Sequence, residues 1–142
     1  MIPGGKVSTF KHISTAISRD NWATLNHFCG HVQSVCVTKF SPSLYSSDEK
    51  PKSYFAIGAN DGAISVFDTV TNRPVIVLTD IFESGVSDIA WSPNGKRLFA
   101  VSSDGTVLCI NFTPEFFGTE LDTHNFEMHF MAHYNMKPTR LT

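Results

Sequence analysis

The stretch Asp61-Gly62-Ala63-Ile64-Ser65-Val66-Phe67-Asp68-Thr69 has a counterpart 43 residues later in Asp104-Gly105-Thr106-Val107-Leu108-Cys109-Ile110-Asn111-Phe112. Each copy opens on Asp-Gly, which tolerates the positive φ of a tight hairpin, and then alternates apolar positions before a bulky residue and a polar one. That is the pattern of a strand entered from a hairpin. Working outward from the first copy, residues 31–42 alternate and close on Ser41-Pro42, residues 53–59 form a short apolar run, and residues 73–81 follow the turn at Thr71-Asn72. Four short antiparallel strands in about 50 residues make one meander.

The second copy has the same order around it. Residues 85–93 again close on Ser-Pro, Asn94-Gly95 marks a turn, residues 96–103 form the next run, and residues 106–112 the one after it. Between its Pro and its Asp-Gly the first unit is eight residues longer than the second. The excess is rich in Ser, Lys, Asp and Pro, and predicts an inserted surface loop over residues 43–53.

The totals fit this reading. The chain has 142 residues, 42% of them hydrophobic and 17% charged, which is globular composition. Its net charge of −2 offers no basic footprint, so direct sequence-specific nucleic-acid binding is not expected. Cys29, Cys36 and Cys109 form no paired spacing and sit among apolar neighbours, which predicts core thiols in a reducing compartment. The longest apolar runs fall well short of a membrane helix, and no membrane association is expected.

Four-stranded units at this spacing resemble blades of a WD40 β-propeller, an all-β fold. Gly30-His31 matches the Gly-His that leads into a blade, and Phe67-Asp68 stands for the Trp-Asp that ends its third strand. In the second unit Ile110-Asn111 holds that place and no Gly-His precedes Val86. The resemblance implies a structural frame of Gly30, His31, Asp61, Gly62, Phe67, Asp68, Asp88, Trp91, Asp104 and Gly105. Within it, His31, Asp61 and the third-strand aromatic residue are expected to lie close together, with Asp88 buried. The expected organisation is a lead-in over residues 1–29 belonging to a preceding blade, a blade over 30–81, a second blade with an acidic exit over 82–121, and an unmatched tail over 122–142. Propellers close with four to eight blades, so about two four-stranded blades read as a fragment of a longer protein or a unit completed by partners.

One stretch goes beyond this general pattern. Arg19-Asp20-x-Trp22 ahead of Gly30-His31, Phe40-x-Pro42 before the insertion, Arg73-Pro74 opening a strand, and Asp88-Ile89-x-Trp91 resemble the HIRA family, the WD40 subunit of the histone regulator chaperone complex. Residues 114–121 resemble its acidic exit, with Phe117 in place of Leu. The resemblance covers residues 14–122 and implies a non-enzymatic, nuclear scaffold without a cofactor. Such a scaffold acts in nucleosome assembly independent of DNA synthesis and in transcriptional corepression. Its implied partners are a ubinuclein-type subunit, other subunits of the complex, and core histones reached through the complex. The WD40 subunit of chromatin assembly factor shares the Phe-x-Pro turn, the Asp-Ile-x-Trp strand and the acidic exit, and is the alternative.

Aromatic and Arg side chains dominate binding energy at interfaces, which selects Arg19, Trp22, Tyr45 and Arg73 as candidate partner contacts. Asp80, Glu83 and Asp88 read either as an ordinary acidic rim or as contacts to a basic surface. His124, His129 and His133 supply the reading from another class, a small metal-binding or enzymatic protein. His129 and His133 have the spacing of paired zinc ligands, but Phe130 stands where a zincin carries Glu, so a solvated tail is expected. No nucleophile elbow and no phosphate-binding loop is present.

Overall fold

The computed structural model describes residues 12–48 and 50–135. Among the described residues nine strands run in chain order: β1 (His12–Ile17), β2 (Thr24–His31), β3 (Val35–Tyr45), β4 (Lys52–Ala59), β5 (Ile64–Asp68), β6 (Pro74–Leu78), β7 (Val86–Trp91), β8 (Arg97–Ser102) and β9 (Val107–Asn111), followed by helix α1 (Thr123–Tyr134). They form antiparallel sheets β1-β2, β3-β4-β5-β6 and β7-β8-β9.

The middle sheet is apolar on both faces, and this sets the stacking. Residues 54–59 and 63–68 are all buried. The register pairs Ala56 with Val66 on one face and Phe55 with Phe67 on the other. The first face, with Tyr54 and Ile64, packs on Val86, Ile89, Leu98 and Ala100 of the third sheet. The second packs on Phe28 and Ala16 of the first sheet, with Phe28 edge-on to Phe55 at 4.7 Å. Each fully buried Phe or Ile contributes roughly 1.5–3 kcal/mol, so neither interface is dispensable. Gly58 lets the two inner strands approach, because a Cβ there would stand 2.6 Å from Val86 Cγ1.

Several details differ from the sequence reading. His31 ends β2 rather than opening β3, so the lead-in is itself a strand pair. Ser41-Pro42 does not end its strand: the register shifts between Phe40 and Leu44, and β3 continues to Tyr45, paired with Lys52. The insertion therefore loops out only over residues 46–51, because its flanks extend the ladder. Among the described residues the second unit is a three-stranded sheet, not four.

The reason lies in residues 113–121. At the repeat offset they should form a strand beside β9. They cross back to the middle sheet instead, where Tyr45 and Glu120 form a bridge, Ser46 donates its N–H to Thr119 O, and Leu121 donates to Leu44 O. Phe117, 1% exposed, plugs a cage of Tyr45, Tyr54, Trp91, Phe112 and Phe116 with ring centroids 4.4–6.1 Å away. The strap thus laces the third sheet to the second.

The expected solvated tail is helical over Thr123–Tyr134, capped by Asp122, whose Oδ1 accepts the Asn125 N–H, and by Asn135 in the left-handed region. Residues 136–142 of the tail, 1–11 of the lead-in and Glu49 of the insertion lie outside the described residues. The three cysteines are exposed, not core thiols: each lies on a strand position whose side chain points away from the packed face.

Phe117→Ala is expected to cost about 3–5 kcal/mol, since it opens a cavity in the strap's only large plug. Phe116→Ala, at a half-exposed ring, should cost far less. Urea unfolding of both variants, read as midpoint and slope, measures the difference.

Candidate interaction surface

Loops at the two ends of the sheets differ in chemistry. At one end, Asn60 donates its N–H to Ser34 O, Ser103 donates to Gly85 O, and the Glu83 N–H reaches Asp104 Oδ2 at 2.8 Å. Gly62, at φ +80°, fits beneath residues 79–85; a Cβ there would lie 2.9 Å from Ser84 O. This end carries Asp61, Asp80, Glu83 and Asp104, and residues 30–34, 59–63, 79–85 and 102–106 contain no Lys or Arg. The Thr106 hydroxyl and N–H, with the Glu83 N–H, hold the exposed Asp104 carboxyl down to about 2.

His31 sits at this end, 2% exposed, with neither ring nitrogen hydrogen-bonded to another described residue. Burial lowers its pKa, and the Asp61 carboxylate opposes that only in part. Asp61 instead accepts the Ala63 N–H at 3.0 Å and closes its own hairpin. His31 and Asp61 therefore interact through their charge field but not through a hydrogen bond. Phe67 is fully buried between Phe55 and Phe28. Gly30 and Gly105, at φ +142° and +90°, hold turn conformations that other residues rarely adopt.

The opposite end carries the turn at residues 18–23, the loop at 46–51, the turn at 69–73 and the strap. Asp68, buried at the end of β5, accepts the N–H groups of Val70 and Thr71. Ser18 does the same for Asp20 at the end of β1, so the two turns are built alike. Lys96 meets Glu120 Oε2 at 3.0 Å, and the Ser43 hydroxyl donates to Oε1. Burial pushes the Glu120 carboxyl up, yet these two hydrogen bonds outweigh it and leave it lowered.

Of the candidate partner residues, Arg19, Trp22 and Arg73 are exposed at this end, Trp22 at 78%. Tyr45 is a correction. It is 0% exposed, its ring packed on Tyr54 and Phe117 under the Lys96 ammonium, because the strap covers it. Asp88 is a second correction. Its side chain is 63% exposed on β7 and faces Lys39 of β3 at 3.9 Å, since the register shift between Val86 and Asp88 turns it out of the sheet core. It belongs to neither rim. Trp91 is partly buried and donates Nε1–H to Lys39 O at 3.0 Å, tying β7 to β3. Among the described residues no group of His, Cys, Asp and Glu is placed to hold a metal ion.

Residues of the strap were not selected by sequence reasoning. Phe117, Lys96 and Glu120 act together only because the chain doubles back. The acidic character of the exit was the one available signal.

Comparison with known proteins agrees with this geometry. The family model "WD domain, G-beta repeat" matches residues 73–111, from the start of β6 to the end of β9. The sequence repeat is therefore staggered by one strand from the sheet. "Protein HIR1" of Cryptococcus neoformans var. neoformans serotype D is 34% identical over 134 residues, covering 90% of this chain and 15% of that protein. "Protein HIR1" of Mycosarcoma maydis is 33% identical over 117 residues, 81% of this chain and 12% of that protein. "Protein HIRA" of Homo sapiens is 32% identical over 114 residues, 74% of this chain and 11% of that protein. The chain thus spans 11–15% of the length of these curated relatives, and its sheets form part of a WD40 propeller.

Because His31 is held below the ordinary histidine value of about 6.5, the unfolded chain binds the extra proton more readily. Stability is expected to fall as pH drops below about 6.5, with the loss complete once pH passes the folded value. Above that window His31 is neutral in both states and contributes no slope. Denaturant midpoints between pH 7.5 and 5 should show wild type losing more stability than His31→Gln.

Proposed function

The chain is a HIRA-family WD40 segment, and from that premise we propose that it serves as a non-enzymatic scaffold within a histone chaperone complex. Its work is nucleosome assembly independent of DNA synthesis and transcriptional corepression, carried out in the nucleus. The observation that carries this reading is the likeness to HIR1 and HIRA proteins over 74–90% of the chain. Open sheet edges support it. Among the described residues β1 pairs only with β2, and β9 only with β8, so each edge offers backbone groups to strands from elsewhere in a longer protein.

The repeat supports this too. Phe99, Val107 and Cys109 occupy the positions of Ala56, Ile64 and Val66 at the offset of the Asp-Gly pair. The latter three are buried beneath the third sheet, while the former are exposed. A further blade on that face completes the pattern.

On such a platform the frame residues Gly30, His31, Asp61, Gly62, Phe67, Asp68, Trp91, Asp104 and Gly105 hold loops in place. Arg19, Trp22 and Arg73 face partners. Partners are a ubinuclein-type subunit and other members of the complex, with core histones reached through them.

Affinity capture of the intact endogenous protein from nuclear extract checks the reading. Core histones and a ubinuclein-type subunit are expected to co-purify with a protein several times larger than 15.7 kDa. Recovery of neither would overturn it.

A further inference from the structure

Further strands of the ring account for the free edges of β1 and β9, but not for that of β6. Ser18 and Asp68 cap equivalent turns, so β1 corresponds to β5 and β2 to β6. Strands that complete the first sheet therefore lie beyond β1, and a strand that completes the third lies beyond β9. The middle sheet already has four strands and a neighbour on each face. Its outer strand stays open in the finished ring.

That strand lacks the usual protection of an edge. Residues 74–79 read Pro-Val-Ile-Val-Leu-Thr, with no charged side chain. Proteins commonly blunt an open edge with a charge, a bulge or a proline, because its unpaired N–H and C=O groups otherwise recruit a strand. Here Pro74 and a register shift guard only the entry, and the ladder is regular from Ile76 to Leu78. The equivalent strand β2 has register shifts toward both ends of its ladder. Apart from the ladder to β5, no hydrogen bond among the described residues reaches residues 74–78.

Side-chain burial points the same way. Ile76 and Leu78 turn toward the third sheet and pack on its core. Val75 and Val77 alternate to the other side, where the first sheet covers Phe55, Ile57 and Phe67 but leaves these two valines 40% and 53% exposed. Neighbouring β-branched side chains on a strand edge are the surface that cross-strand pairing uses.

Backbone chemistry and size then select the occupant. A row of donors and acceptors spaced as in a strand is matched by another extended backbone, not by a helix, whose own groups are already paired. The five residues of β6 make about 17 Å of strand. A stable protein–protein interface uses about 20–30 residues a side, so two β6 strands would not hold two copies of the chain together. A short extended segment needs no more than this edge offers.

We propose that β6 is a docking edge for an extended segment of a partner protein, which adds a fifth strand to the middle sheet and sets β-branched side chains beside Val75 and Val77. Backbone hydrogen bonds supply the attachment, as in other peptide recognition by strand addition. The proposal rests on the ring reading above for the claim that β6 stays open, but it does not require the partner to be a histone-complex subunit.

The test uses the 142-residue chain and a fluorescein-labelled peptide of about a dozen residues that alternates Val with Thr between terminal lysines. Anisotropy titration measures binding, and hydrogen exchange locates it, with added protection expected over residues 74–78. A second peptide, N-methylated on adjacent central residues, has both of its edges blocked and should bind at least about tenfold more weakly. Val77→Lys puts a charge on the edge and should weaken binding on a similar scale, with the melting temperature unchanged because the position is exposed. Val107→Lys, at an exposed valine of β9, should leave the protection at β6 in place.

The N-methylated peptide is read on the wild-type chain, which keeps the test independent of how Val77→Lys folds. Equal binding of that peptide would overturn the proposal, since side chains alone would then carry the contact. So would the absence of binding at any soluble peptide concentration. Protection over residues 12–17 or 107–111 in place of 74–78 would also overturn it, by putting the peptide on an edge that the ring closes. Self-association of the free chain that Val77→Lys abolishes would make a second copy the occupant instead. Each of these results leaves the histone-chaperone reading to its own capture experiment.

Discussion

Two-sided burial of the middle sheet is the constraint from which the rest of the architecture follows. A sheet with one apolar face can leave the other in water, but β4 and β5 present Tyr54, Ala56 and Val66 to one side and Phe55, Ile57 and Phe67 to the other. Both faces need a cover, and the flanking sheets supply it. The flanking sheets then inherit the same demand on their outer faces, which is how a stack of blades becomes a ring. Function follows from this rigidity. Loops at either end are held by sheets that cannot shift without exposing aromatic side chains.

The strap shows how a chain can depart locally from its own repeat. Residues 113–121 occupy the offset of a fourth strand, yet Phe117 finds a better site among Tyr45, Tyr54, Trp91 and Phe112 than an outer strand would offer. Burying one aromatic ring on five neighbours outweighs the backbone bonds of an edge strand, which water can also satisfy. The bridge between Tyr45 and Glu120 and the contact of Lys96 with Glu120 fix the crossing. Helix α1 consequently starts from the middle sheet and not from the third.

The two ends of the sheets are closed by different groups. At the acidic end, side chains of Asp61 and Asp104 first close their own hairpins and then offer their remaining lone pairs outward. At the other end the capping groups are Ser18 and the buried Asp68, and the cations Arg19, Lys50 and Arg73 share that end with Asp20 and Asp48. The difference follows from where the repeat places its hairpin Asp and its turn-capping residue.

The sequence alone determined the all-β class, the strand order and the hairpins, because a period of two and Asp-Gly or Asn-Gly punctuation are local properties. It also determined the family resemblance, carried by contiguous motifs such as Arg19-Asp20-x-Trp22 and Asp88-Ile89-x-Trp91. Only the tertiary structure decided which positions face solvent. Tyr45 read as a surface aromatic in a polar loop, yet the returning strap buries it. Asp88 read as an inward position on an alternating strand, yet a register shift turns it outward. The cysteines read as core thiols from their apolar neighbours, but alternation says only that two faces differ, not which of them finds a cover. Burial and contacts between distant segments are decided by what packs against each face. That information lies in residues up to 77 positions away, as the Ser43–Glu120 hydrogen bond shows, and no local pattern contains it.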